Sequence, residues 1–380
     1  MDNSQPEIEP AAKKQKMIEN SHNKITKIID GYISKLNETT TLKAVLSDEY
    51  NEPTPQRKVC VGHIKDKKDI SRVIAVLHEK LPLNTLQHLK RVVKGSVILC
   101  PVEDLDNSYS IQEYLEQRVP ELMNGIFDYF TEKDLPAMAP KIKSQYNPSL
   151  WSCNFHPDKY MEKLVSDKFF SENEVKAHVL FMRIAMETLR WHLEDTECDL
   201  NNVLDVYNAT VVVDPKQNLV VAVSFCNNDH PTQHSAMLAI DNVAKTQSGG
   251  VWGENRTEKH HINRGIDEGL KDYLVKKFPE TKFFARQYLS KSDVKDYEDK
   301  YRVSMSEVLK DTPYLCTGYY VYILREPCVM CAMALVHARA KRIFYCKSNS
   351  QHGALNSCVK LQTVTALNHH FEVFSGFSLQ

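Results

Sequence analysis

Two cysteines three residues apart, in Pro327-Cys328-Val329-Met330-Cys331, constrain this chain more than anything else in it. The run YYVYIL just before them reads as a strand and CVMCAMALVHARA as a helix, so both thiols fall in a first helical turn and can face one metal ion. Alone, such a pair is ambiguous: it serves equally as a redox couple, half of a structural metal site, or a coincidence. The chain has ten cysteines, and these are the two with ligand spacing. The start, MDNSQPEIEPAAKKQKM, lacks an apolar core of signal-peptide length, and runs such as Leu219 to Cys226 are far too short to span a bilayer. A soluble intracellular protein with reduced thiols is therefore expected, without a membrane partner.

The order of elements sharpens the metal reading. ATVVVDP and NLVVAVSF, on either side of Pro215 to Asn218, read as a β-hairpin. A helix then opens near His234, with Ala236, Ala239, Ile240 and Val243 on one side. Strand, helix with histidine, strand, helix with two cysteines is the zinc deaminase order, in which one His and two Cys hold Zn²⁺ and leave a fourth position for water. His234, Cys328 and Cys331 are the expected ligands. Working sites of this kind carry a glutamate two residues after the histidine to move the proton of the metal-bound water. Here that position is Ala236, so no catalytic residue is expected. Asp241 lies five residues on, about 140° round the helix at roughly 100° per residue, and Asp229 precedes it; neither is placed to substitute.

Periodicity gives an outline for the rest. Residues 1–56 are expected as a partly disordered tail and 57–135 as an α+β domain, with helices over SRVIAVLHEKL and PLNTLQHLKRVV and a buried strand at GSVILCPV. A proline-interrupted linker covers 136–170. From 171 to 380 the expectation is a three-layer α/β/α zinc deaminase domain with a mixed sheet. It opens on a helix from Glu172 to Leu193 and carries a polar insertion at about 246–312.

At these residues the chain resembles the tRNA adenosine deaminase family, which converts wobble adenosine to inosine. Glu326 to Arg339 is similar to that family's EPCxMCAxALxHxR block nearly throughout, and Gly353-Ala354-Leu355 and Leu367 to Phe371 resemble segments downstream of it. The eukaryotic enzyme resembled is a heterodimer in which one subunit keeps the glutamate and the other has a small apolar residue there; His234-Ser235-Ala236 looks like the second kind. Thr85 to Val92 and Leu150 to Pro157 resemble that subunit's extra domain and its junction. The resemblance is dense from about Val206 to Glu254 and from Tyr314 to Phe374, thin near the N-terminus and absent from most of the insertion. It implies a zinc-binding, non-catalytic subunit whose partners are tRNA and a glutamate-bearing catalytic deaminase subunit.

With 48 basic and 49 acidic side chains, the net charge is −1, so any RNA contact must be local. Lys65, Lys67, Lys68, Lys90, Arg91, Lys94, Lys141 and Lys143 are the candidates for phosphate contact. His260 and His261, within the insertion, read as solvated residues rather than further ligands. Lys13, Lys14 and Lys16 fit either a solvated tail or a nuclear address, and the protein is expected in the nucleus, the cytoplasm or both. Two other readings stand beside the main one: a self-sufficient deaminase using a displaced acid, and a zinc-stabilised RNA-binding scaffold.

Overall fold

The computed structural model describes residues 11–105, 110–194, 202–247, 249–252, 265–284 and 313–377. It divides into two compact units, one of Met1–Leu46 with Asp167–Gln380 and one of Ser47–Ser166.

Where a tail was expected, the chain forms helix α1 (Ala11–Thr39) followed by a short strand β1 (Lys43–Ala44). Ile25, Ile29 and Leu36 fall on one face of α1 and are at most 2% exposed. The polar remainder of the sequence conceals this stripe, because only every fourth or seventh side chain is needed to anchor the helix.

The smaller unit contains α2 (Asp48–Asn51), β2 (Gln56–Ile64), α3 (Ile70–Lys80), β3 (Val92–Val93), β4 (Ser96–Pro101), α4 (Ile111–Arg118), β5 (Phe127–Pro136) and α5 (Lys159–Val165). Its sheet runs β3-β4-β2-β5, antiparallel throughout. Because side chains alternate across a strand, Cys60, Val97 and Leu99 meet α3 and α4 on one face, while Val59, Val61, Ile98 and Leu135 point to the other. That second face is covered by non-helical chain. Residues 82–91, expected as a helix, form a strap in which Leu86 and Leu89 are buried and the Leu86 and Leu89 amides bond to carbonyls three residues back. Apolar residues three apart suit successive turns as well as a helix, and Pro82 and Asn84 favour turns. Residues 136–166, expected as a linker, fold back onto the same face. Trp151 is 4% exposed there, with its indole N–H donating to the Lys90 carbonyl at 2.6 Å, and Cys153 bridges to Leu89.

The larger unit continues with α6 (Glu172–Leu193), α7 (Val203–Val206), β6 (Ala209–Asp214), β7 (Leu219–Phe225), α8 (Ser235–Thr246), α9 (Glu268–Lys277), β8 (Lys282–Phe283), β9 (Tyr320–Arg325), α10 (Val329–His337), β10 (Arg342–Lys347) and β11 (Glu372–Ser375). The helix expected from Glu172 to Leu193 is present at those limits, opened by a Ser171/Glu174 capping box. The sheet order is β1-β11-β10-β9-β6-β7-β8, with β11, β10 and β9 parallel and β6 antiparallel to both its neighbours. His178 of α6 packs on Phe344 and Tyr322 on one face, and Ala239, Val243, Leu335 and Val336 of α8 and α10 pack on Val321, Ile323 and Ile343 on the other. The expected three-layer α/β/α domain with a mixed sheet is thus what the chain adopts.

Part of the expected polar insertion belongs to this domain. Ile266, Leu270, Leu274 and Phe278 are buried, α9 packs on α6, and β8 extends the sheet parallel to β7. The rest of it, including His260 and His261, lies outside the described residues. Among the described residues no helix is long and apolar enough to cross a membrane.

Ile29 is fully buried. Ile29→Ala should therefore cost about 2–4 kcal/mol in urea unfolding of the full chain, where a substitution in an unstructured tail would leave the midpoint unchanged.

Candidate metal centre

Helices α8 and α10 follow β7 and β9 and pack together on one face of the sheet. Their N-terminal ends meet. His234 and Cys328 occupy the N-cap positions of α8 and α10, both with extended backbone and neither with a side-chain capping bond, and Cys331 stands in the first turn of α10. The start of α8 is pinned by buried hydroxyls: Thr210 and Ser235 are hydrogen-bonded through their side chains at 2.9 Å, and the Ser224 hydroxyl donates to the Ser235 carbonyl at 2.7 Å.

The result is a compact donor set. His234 Nδ1 is 3.5 Å from Cys328 Sγ and 3.4 Å from Cys331 Sγ, and the three ligand atoms lie within 4.8 Å of one another. Tetrahedral zinc with ordinary Zn–N and Zn–S bonds puts an N and an S about 3.6 Å apart. The donors fit that ion in kind and in spacing. Cys331 is buried, Cys328 half-buried and His234 exposed, so the group has one open side. The Cys328 thiol is drawn down to about 5, first by its hydrogen bond with the Cys331 thiol and further by the Cys331 N–H and His234. The same bond, together with burial, pushes Cys331 up. Cys328 is thus the thiol that ionises first, and a metal ion between the two would take both as thiolates.

No carboxylate joins this group among the described residues. Ala236 is 2% exposed and packed in the core that α8 and α10 share. Asp241 is buried with Oδ1 accepting the Val251 amide at 2.6 Å and Oδ2 paired to Lys245 at 2.8 Å. Asp229 is exposed on a loop closed by Asn227 and Gln233, whose backbone and side chains bond at 3.0 and 2.7 Å.

One acid near the site escaped sequence reasoning. Glu326 is 1% exposed, and its carboxylate accepts the backbone N–H groups of Asn349, Leu355, Asn356 and Ser357 at 2.6–3.0 Å, and the Ser357 hydroxyl. Glu326 therefore ties the end of β9 to the loop that closes over the start of α10. The same loop touches the donor set directly, through the Cys328–Gly353 bridge and the Ala354 amide bonded to the Pro327 carbonyl. A Cβ at Gly353 would collide with the Glu326 carboxylate and the Asn349 carbonyl. Both residues stand in the blocks quoted from the sequence, but their role exists only once the loop has folded.

The eight basic candidates all lie in the smaller unit. Lys65, Lys67, Lys68, Lys90, Lys94 and Lys143 are exposed, and Lys141 pairs with Glu49 at 3.4 Å. Arg91 departs from expectation: its guanidinium donates to the carbonyls of Leu77, Ile98 and Leu99 at 3.0–3.3 Å, and burial pulls it down to about 10. It is committed to holding the strap and α3 to the sheet.

Fold and site together define a deaminase-type α/β/α domain that keeps a His-Cys-Cys donor set and has alanine in place of the acid. Comparison with known proteins gives the family. A Danio rerio protein named "Probable inactive tRNA-specific adenosine deaminase-like protein 3" is 30% identical over 89% of this chain and 92% of its own length. The Schizosaccharomyces pombe tRNA-specific adenosine deaminase subunit tad3 is 38% identical over 78% of this chain and 73% of its own. The Arabidopsis thaliana tRNA-specific adenosine deaminase TAD3 is 26% identical over 84% and 91%. No family model matches the chain. A solved tRNA:A34 deaminase chain aligns at 17% identity over 52% of this chain and 97% of its own, with a TM-score of 0.26, a likeness too loose to argue from. The chain belongs to the TAD3 family of tRNA-specific adenosine deaminase subunits.

Removing the Glu326 carboxylate would leave four backbone amides, that of buried Leu355 among them, without this acceptor. Glu326→Ala should destabilise the larger unit by about 3 kcal/mol or more, read as a lower midpoint in chemical unfolding. Glu326→Gln should lose less, since it keeps one acceptor oxygen.

Proposed function

We propose that this chain is the zinc-holding, non-catalytic subunit of a heterodimeric tRNA adenosine deaminase that converts wobble adenosine to inosine. The observation that carries the reading is the donor set of His234, Cys328 and Cys331 beside a buried Ala236. General acid–base assistance is worth roughly two to four orders of magnitude, and alanine offers none. Asp241, Asp229 and Glu326 are engaged or placed elsewhere, which argues against a displaced acid. Bound zinc would act here as a tetrahedral staple between two helix starts. His234 and the two cysteines would hold it, the buried hydroxyls around Ser235 would keep the histidine in register, and Glu326 would keep the covering loop in place.

The catalytic glutamate would then come from the partner subunit, with this chain adding a folded surface and RNA contacts. Exposed lysines of the smaller unit, Lys65, Lys67, Lys68, Lys90, Lys94 and Lys143, with Lys141, are the residues for phosphate contact; Arg91 is not among them. The relatives' names support both the tRNA substrate and the existence of a further subunit.

If the donor set holds zinc, the purified chain should carry about one equivalent by elemental analysis, and Cys331→Ser and His234→Ala should each lose most of it together with thermal stability. A metal content unchanged by both substitutions would remove the zinc reading.

The enzymatic test uses adenosine-34 tRNA with this chain alone, with a glutamate-bearing deaminase relative alone, and with both. Inosine only from the mixture is the expected result. Inosine from this chain alone would overturn the non-catalytic reading.

A further inference from the structure

We propose that the outer face of Tyr129 is a stacking platform for one unpaired base of the bound RNA, an inference that rests on the tRNA reading above. The cross-strand row at the end of the smaller sheet aligns Ser96, His63 and Tyr129 of β4, β2 and β5. This row lies on the face where Val59, Val61, Ile98 and Leu135 are covered by the strap, but beyond that cover: Tyr129 is 53% exposed.

The ring is held in place. His63 Nδ1 bonds the Ser96 hydroxyl at 3.1 Å and His63 Nε2 the Thr131 hydroxyl at 3.0 Å, so hydroxyls on both neighbouring strands fix the imidazole plane. Tyr129 lies on that plane with ring centroids 4.0 Å apart and 18° between the rings. Burial and Lys133, partly opposed by Asp128, push the His63 pKa down, which keeps the imidazole neutral at physiological pH. The stack is a rigid, uncharged platform whose outer surface is a π-face of the right size for a nucleobase. Base–aromatic stacking of this kind is sequence-tolerant, because every base has such a face.

Charge around the platform selects the occupant. Lys65 follows His63 by two residues and is exposed, with its amide bonded to Ile126 just before β5. Lys94 is exposed at the β3–β4 turn, in the left-handed region at φ 50°, and the next residue, Gly95, accepts the Ile64 amide. The turn therefore brings Lys94 to the end of β2 from which Lys65 emerges. The two exposed cations on that side suit a ribose-phosphate chain; on the other side Lys133 is half-buried with its ammonium over the Trp151 ring at 5.6 Å, and Asp128 is the opposing acid beside His63. An aromatic face flanked by phosphate-binding lysines is how single-stranded RNA is held.

The test uses the full chain together with its glutamate-bearing partner subunit. Affinities are measured for adenosine-34 tRNA and for an unbroken RNA duplex, which offers no base face. Tyr129→Ala should weaken tRNA binding roughly tenfold and leave duplex binding and the melting temperature unchanged. Tyr129→Phe should bind within about twofold of the parent, because the ring rather than the hydroxyl does the stacking. Lys65→Ala and Lys94→Ala should each reduce the salt dependence of tRNA binding by about 0.7 in the log–log slope, whereas Tyr129→Ala should not. Unchanged tRNA affinity in a folded Tyr129→Ala variant would overturn the platform and leave the tRNA reading standing. Loss of the partner subunit, or equal loss on duplex, would assign Tyr129 to a protein contact or to general docking and likewise overturn it. No tRNA binding by the parent complex would take down both.

Discussion

The donor set depends on a buried carboxylate that is not part of it. Among the described residues no cation pairs with Glu326; four backbone amides and a hydroxyl donate to its carboxylate instead. Charge-assisted bonds of this kind are about twice as strong as neutral ones, and the cost of leaving them unmade is high. That asymmetry gives the loop from Asn349 to Ser357 one energetically acceptable course. Its course in turn puts Gly353 against Cys328 and Ala354 against Pro327, where α10 begins. The approach is close enough that Gly353 has to lack a side chain. A motif read for its two thiols therefore works because of the glutamate two positions before the first of them.

Holding a metal and moving a proton are separable in this architecture. The donor residues stand at helix starts and the missing acid would stand just inside α8. Alanine there loses the proton carrier yet leaves the histidine, whose place is fixed by Ser235, Thr210 and Ser224. Ala236 also fits the apolar core between α8 and α10, where a carboxylate would have to be desolvated. A metal bound only by the folded state contributes to stability whether or not it does chemistry. The same three residues that would position a reactive water in one protein can serve in another as a clasp between helices.

How much of this was legible in the sequence follows from what each segment buries. The hairpin of β6 and β7, the helix from Glu172 to Leu193 and the helix after His234 each present a continuous apolar face, and their periodicity gave them away. His234 and Cys328, expected as ligands, could be linked across 94 positions because element order, not spacing, joins them, and the fold brings the two side chains together. What escaped notice buries little per residue. The chain over 136–166 contributes Ile142, Trp151, Cys153 and Leu164, anchors scattered among prolines and polar residues with no repeating period. In α1 the stripe is equally sparse, and in the polar stretch after Thr246 the segment from Ile266 to Phe283 was hidden by charged neighbours. Arg91 misled for a different reason: composition counts a cation without showing that three carbonyls already surround it.

The charge balance bears on how such a chain can hold RNA at all. Phosphate contacts gain most of their free energy by releasing counterions, a gain that grows with the number of cations and fades with salt. A protein of net charge −1 has no overall positive charge from which to draw it, so the gain must come from local cations. The smaller unit further reduces its supply by turning Arg91 inward and pairing Lys141 with Glu49. Affinity that must survive physiological salt then has to include contacts that salt does not screen, and apolar stacking is the contact of that kind a polar, single-stranded ligand can make. An open tyrosine braced on a neutral histidine is where this sheet offers it.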